Sequence, residues 1–483
     1  MIEPLDLGCH ALRCGRAIRL IVISGLALAA TVQDSRSDTL AQALASAYKF
    51  NPTLLAERKR LQTTDEGVPQ AKSGYRPRVI ASGNLSRDYT NTRSRNSLAA
   101  TTRTKGSTTP HGYQIEFTQS LFRGFRTVNA VKQAEANVLA ARENLRSVEQ
   151  SVLLDAVTAY MDVMRDRAIV LLREKDVGVL TSELRAVEQR FNVGDVTRTD
   201  VAQAMARRAR SLSTLNVAKS DLKASEAAYV RVIGHAPDRL HEPRPPQRRV
   251  PGSLPEAIDI ALSENPAVVR AAFLELAAQH EVDVVRGELL PELNLEGSYA
   301  NQLDNGLSTK KDESASIGGR LTIPLYQGGD VYSRIRAAKR TRERLTQEID
   351  EARNTAKAEV ITAWSVLVSA RARLASTRVQ VDANRTALAG VRAEEAVGQR
   401  NLLDVLDAEQ ELLSSETDFV TTRRDLVVAF YGVVSAMGRL TADHLNLGTD
   451  QHDPEEYYEQ VKNKPWGTTV TSNEDYDGYT VTQ

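Results

Sequence analysis

Cysteine is nearly absent. The 483-residue chain has two, Cys9 and Cys14, and both precede the apolar run "LIVISGLALAA". Arg13, Arg16 and Arg19, that run, and the small residues around Ala27-Leu28-Ala29 together read as an export signal, residues 1–29. The cysteines leave with the signal. The mature chain is therefore expected to hold no disulfide, no thiolate metal site and no lipid-anchor cysteine. Net charge is absent too, with 62 basic and 62 acidic residues. No basic face for nucleic acid is implied. Aromatic residues make up 5% of the chain. Together with abundant alanine, this favours long helices over a large packed core. After the signal, no stretch approaches the roughly 18–20 apolar residues of a membrane-spanning helix. There is no Walker loop, no His-Glu-x-x-His and no Ser/His/Asp pattern. An enzyme is not expected, nor is a cofactor or a metal.

What is present is a duplication. "LAQALASAYKFNPTLLAERKRL" from Leu40 matches "LPEAIDIALSENPAVVRAAFLEL" from Leu254, aligning Asn51-Pro52 with Asn265-Pro266. "QSLFRGFRTVNAVKQAEAN" matches "IPLYQGGDVYSRIRAAKRT". Gly194 aligns with Gly398, and Gly234 with Gly438. The halves are placed at 30–240 and 254–440. A Pro- and Arg-rich linker at 241–253 separates them, and an acidic, polar tail follows at 441–483. The tail has no periodicity and reads as disordered or loosely packed on the outside. The length alone suggests two or more globular domains.

Each half opens with a helix, since Asn caps and Pro suits the first helical turn. Two strand-like segments follow, at 76–90 and 112–123, then at 291–301 and 315–326. In "GYQIEFTQSLF", Tyr113, Ile115 and Phe117 alternate with Gln114, Glu116 and Thr118. Period two over about ten residues is the pattern of a tilted transmembrane strand. The polar stretches between the strands, "NTRSRNSLAATTRTKGSTTP" and "NQLDNGLSTKKDESA", read as loops. Then come helices at 127–192 and 330–396, each reaching roughly 100 Å. Seven-residue spacing, as in Val138, Leu145 and Val152, marks a coiled coil. Shorter helices return at 197–233 and 401–437. They span about half the long helices' length. The segment after Asn51-Pro52 supplies much of the rest if stacked end to end.

Four strands leave open edges, which lipid cannot satisfy. Several chains must therefore close one barrel. Two, three or four copies all give an allowed even strand number.

The doubled Asn-Pro starts, the strand-to-helix turns "SLFRGF" and "PLYQGG", and the two Val-Gly-…-Asp-Val hairpins make this chain resemble the TolC family of outer-membrane channels. The resemblance covers about Leu40 to Leu440. With no lipidation cysteine, the chain is more similar to the type I secretion and multidrug efflux branch than to the lipoprotein branch. The resemblance implies an α+β membrane protein with four transmembrane strands per protomer. It implies a homotrimer with a 12-strand barrel and a periplasmic α-barrel of antiparallel coiled-coil helices. The implied partners are outer-membrane lipid, a periplasmic adaptor (membrane fusion) protein, and an inner-membrane ABC transporter or proton-driven pump that supplies the energy.

On the same resemblance, Val193, Gly194, Val397 and Gly398 form adaptor-docking hairpin tips. Asp404 and Asp407 form pore selectivity rings. Thr199, Asp200, Arg400 and Glu395 lie in the gate's polar links. Glu395 stands where the family has tyrosine, so the closed-state link must differ. The spacing itself has a plainer content. Thr197 with Asp200, and Asn401 with Asp404, are near capping boxes. Asp407 has no capping duty. Two other readings stay open. A soluble coiled-coil scaffold is disfavoured by the signal and the strands, and a porin-like barrel without a pump by the long helices.

Overall fold

Two helices of 67 residues each, α4 (Arg126–Asn192) and α8 (Asp330–Ala396), set the dimensions of the chain in a computed structural model. The structure describes residues 38–95, 101–243 and 250–469. The expected export signal lies outside them, as does 244–249 of the linker. Each long helix packs against a returning helix, α4 on α5 (Arg198–Ile233) and α8 on α9 (Leu402–Ala436). The heptad residues make the seam: Val138, Leu145 and Val152 are buried on α4, and Leu406, Leu413, Val427 and Val434 on α9. The two halves are not separate domains. Helix α4 also contacts α9 and α7 (Pro266–Arg286) of the second half.

The returning helices are prolonged by the helices that follow Asn-Pro. Helix α1 (Leu40–Phe50) leads into α2 (Pro52–Asp65) and the short α3 (Gly67–Lys72), and α6 (Leu254–Glu264) leads into α7. Asn51 clasps two helix ends. Its Oδ1 accepts from Thr53 N–H at 2.9 Å, and its Nδ2 donates to the Val232 carbonyl at 3.0 Å, in the last turn of α5. Asn265 repeats the clasp, accepting from Ala267 N–H at 2.9 Å and donating to the Ala436 carbonyl at 3.1 Å. One amide thus satisfies orphan groups of both helices. Gly438 completes the second joint at φ 83°, where a Cβ would meet the Glu264 carbonyl at 2.6 Å. Asn51→Ala removes a cap and strands a carbonyl. It is expected to cost roughly 2–4 kcal/mol. Asn51→Ser keeps an acceptor for the cap and loses the amide donor to Val232, so its melting midpoint should fall between those of the unmodified protein and Asn51→Ala. Equal midpoints for Ser and Ala would show that the cap contributes nothing.

The sheet runs β1 (Arg78–Leu85), β4 (His111–Arg123), β5 (Glu292–Leu303), β6 (Lys311–Thr322), all antiparallel neighbours. Its edges, β1 and β6, have no partner strand among the described residues. The expected strand at 76–90 breaks after Leu85. A second antiparallel pair, β2 (Asp88–Arg95) and β3 (Thr101–Thr108), starts in the last residues of that expected strand and fills most of the polar stretch read as a loop. The reason is that this ribbon has no apolar face, so period two leaves no hydropathy trace, although threonine favours strand. The second polar stretch also shrinks, to 304–310. Strand β6 starts and ends earlier than the 315–326 expected.

The tail is better packed than its composition suggests. Short helices α10 (Ala442–Leu445) and α11 (Glu456–Val461) bury Leu445 and Val461. Tyr457 donates to Glu66 at 2.8 Å, and Arg142 pairs with Glu455 at 2.6 Å. A few anchors suffice where a long helical wall is already in place. Residues 470–483 lie outside the described part.

Close to this tail, Asp65 is fully buried, and neither carboxyl oxygen has a hydrogen-bond partner. Burial pushes its pKa up to about 6, and the charge of Arg142 offsets this only in part. A raised acid pKa favours the protonated fold. This stabilisation is complete below the usual carboxylate range and is lost as pH rises through about 6. The melting midpoint should therefore fall between about pH 4 and pH 6, and Asp65→Asn should flatten that step. An unchanged step in the variant would assign it to another group.

Candidate functional site at the hairpin tips

Helix α4 ends because Gly194 takes a left-handed turn at φ 82°, and α8 ends the same way at Gly398, φ 77°. Asp195 N–H then donates to the Arg190 carbonyl at 2.9 Å, and Gln399 N–H to the Glu394 carbonyl at 2.9 Å. These bonds, reaching five residues back, close the helix ends. The chain restarts at once with capping boxes. Thr197 Oγ1 accepts from Asp200 N–H at 3.3 Å, and Asp200 Oδ2 accepts from Thr197 N–H at 2.8 Å. Asn401 Oδ1 accepts from Asp404 N–H at 2.9 Å, and Asp404 Oδ2 accepts from Asn401 N–H at 3.3 Å. Asp200 is held below the usual carboxylate range by the hydrogen bonds from the Thr197 backbone and hydroxyl.

The tips are bare. Val193 is 80% exposed and Val397 is 70% exposed. A Cβ on Gly194 or Gly398 would meet nothing within 4 Å. Their glycine requirement is thus conformational, not spatial.

Behind the tips, ion pairs join the two hairpins. Arg190 on α4 pairs with Glu395 on α8 at 2.8 Å and with Asp195 of its own turn at 2.7 Å. Arg207 on α5 pairs with Asp407 on α9 at 2.5 Å. Arg400 pairs with Glu394 at 2.9 Å and lies 3.9 Å from Asp404. Arg392 pairs with the buried Glu409. Burial first, then the nearby Glu409 and Glu395 carboxylates, push the Glu183 pKa up. The region behind the tips is a dense field of alternating charge.

Within the chain, the residues singled out in the sequence divide in two. Glu395 and Asp407 reach across to the other hairpin. Asp200, Asp404 and Arg400 bond within their own turn, and Thr199 is exposed in the first turn of α5. The sequence reading missed Arg190 and Arg207. Their one available signal was Glu395 itself, a carboxylate in a tyrosine position that calls for a cation.

No helix among the described residues is long and apolar enough to cross a membrane. The alternating sheet is the membrane element, and the helices extend from one end of it. Together they define an outer-membrane channel with a helical tunnel in the periplasm, a passive conduit and not an enzyme. The pattern of the family described as outer membrane efflux protein matches residues 43–235 and 257–439. The chain belongs to that family. It is 40% identical over 457 residues to the outer membrane efflux protein BepC of Brucella suis biovar 1 (strain 1330), covering 94% of this chain and 97% of that protein. It is 24% identical over 415 residues to the outer membrane protein TolC of Vibrio cholerae serotype O1, covering 84% and 92%. The solved CmeC outer membrane channel of Campylobacter jejuni shares the fold, with a TM-score of 0.73 at 17% identity over 89% of this chain and 90% of that chain.

Proposed function

We propose that three copies of this chain close a 12-strand barrel and a periplasmic helical tunnel, forming the exit duct of a three-component efflux or type I secretion system. One observation carries the reading. A four-stranded sheet with two unpaired edges is built onto helices about three times as long as a bilayer core is thick. Lipid cannot satisfy those edges, so neighbouring copies must. The efflux named for BepC supports an export duct, and the pump and adaptor supply energy and contact.

In this reading the tips at Val193-Gly194 and Val397-Gly398 dock the adaptor. Asp404 and Asp407 form carboxylate rings at the mouth. Glu395, Arg400, Asp200 and Thr199 belong to the polar gate, with Arg190 and Arg207 as the cations that hold the hairpins together at rest.

The test uses the scarcity of thiols. Both native cysteines lie at or before residue 14, so Val397→Cys gives one defined handle. A crosslink from that handle to a periplasmic adaptor, on a protein that runs as a trimer, is the expected result. A monomer in mild detergent would end the barrel reading, and a trimer with no tip crosslink would end the docking reading.

A further inference from the structure

The β2–β3 ribbon is one-sided in charge. Directly paired residues share a face, and successive residues alternate faces. The register pairs Asn91 with Lys105, Arg93 with Arg103 and Arg95 with Thr101. Four cations, Arg93, Arg95, Arg103 and Lys105, therefore occupy one face, which bears no carboxylate among the described residues. The other face carries Thr90, Thr92, Ser94, Thr102 and Thr104, with Asp88 as its only charge. Arg93 stands opposite Arg103, a like-charge pair that disfavours the ribbon. A fold keeps such a pair at a cost unless something anionic bridges it.

The ribbon's position narrows the partner. Strands β1 and β4 meet the helical body at Arg78 and Arg123, so Leu85 and His111 lie at the opposite end of the sheet. With the helices in the periplasm, that end faces the cell exterior. The ribbon is braced there. Asp304 accepts from Thr109 N–H at 2.7 Å, and Leu307 packs where a Cβ on Gly106 would sit, at 2.1 Å. Gly106 pairs with Thr90, so the threonine-lined face leans on the second loop and the cationic face is left outward of it. That second loop and the start of β6 keep their charges balanced, with Lys310 3.9 Å from Asp304 and Lys311 on Glu313 at 2.9 Å.

We propose that the cationic face of the β2–β3 ribbon binds phosphorylated glycolipid headgroups of the surrounding outer leaflet. Cations repeat along the strand at about 7 Å and across it at about 5 Å. That spacing suits phosphates gripped by two guanidinium groups at once. Asn91, held by Arg103 Nε at 3.1 Å, and Tyr89 at the base add polar and flat surfaces for sugar. The partner is always present at the barrel rim, whereas a soluble polyanion is not.

The full-length protein in neutral detergent is titrated with micelles of a bis-phosphorylated glycolipid, its dephosphorylated counterpart, and a DNA oligonucleotide. Wild type should bind the phosphorylated glycolipid more than about tenfold tighter than the variant carrying Arg93→Gln, Arg95→Gln, Arg103→Gln and Lys105→Gln. The difference should shrink with added salt and vanish for the dephosphorylated lipid. A variant with lysine at the three arginine positions should keep most of the binding, which guards against a folding artefact. Thr92→Gln with Thr104→Gln, on the other face, should change nothing. Equal binding by wild type and the glutamine variant overturns the proposal. Tighter binding of DNA than of glycolipid overturns it too, and marks a site for a soluble polyanion.

Discussion

Alanine at both Arg190 and Arg207 is expected to hold the periplasmic mouth open. Each chain ties its two hairpins by Arg190 to Glu395 and by Arg207 to Asp407. In a trimer this makes six pairs. An exposed ion pair contributes about 0.2–1 kcal/mol, so six give roughly 1–6 kcal/mol. That moves a closed-to-open ratio by about tenfold or more. Single-channel conductance in planar bilayers should rise. Cation selectivity should rise with it, because Asp407 and Glu395 lose their counter-charges. High salt should produce part of the same opening in the unmodified protein. Exchanging the charges, Arg190→Glu with Glu395→Arg, should restore closure where Arg190→Glu alone does not. Asp404→Ala with Asp407→Ala should lower selectivity while Asn401 still caps α9. Unchanged conductance in the double-arginine variant would show that these pairs do not hold the gate.

Gly398→Trp is expected to abolish most export while leaving the outer-membrane amount of the protein unchanged. Gly398 sits at φ 77°, a conformation that strains any ordinary side chain by roughly 1–3 kcal/mol. Nothing lies within 4 Å of its missing Cβ, so the protomer itself has room for the ring. The damage then falls on what approaches the tip from outside. A penalty of about 1–3 kcal/mol is about 5- to 150-fold in a docking equilibrium. Crosslinking from Val193→Cys to the adaptor should drop in parallel. Gly398→Asn, which tolerates the left-handed turn, should stay close to the unmodified protein. Export and crosslinking both at normal levels in the tryptophan variant would remove the tip from docking.

The hairpin tips were easier to read in the sequence than the ion pairs behind them. Gly194 and Gly398 announce themselves because one residue type serves a left-handed helix end. Thr197 with Asp200 and Asn401 with Asp404 follow from local spacing, and both boxes form. Arg190–Glu395 and Arg207–Asp407 span about two hundred residues. Spacing along one chain has no bearing on such pairs. Which of many arginines faces which carboxylate depends on the rotation of each coiled coil about its axis. That rotation is set by how α4 packs against α9 and α7 as well as α5.

The sequence by itself determined the duplication, the four alternating strands and the heptad-seamed helices, because each is written in contacts between residues near in the chain or at a fixed period. It also determined the Asn-Pro starts, although only the folded chain shows Asn51 and Asn265 reaching back to Val232 and Ala436. Tertiary structure alone decided the rest. It turned a polar loop into the β2–β3 ribbon, because cross-strand hydrogen bonds need no hydrophobic period. It fastened the acidic tail through Val461, Tyr457 and Arg142, because a wall built by distant residues offered them a place to pack. It set four cations on one side of a ribbon, because only strand register says which residues share a face.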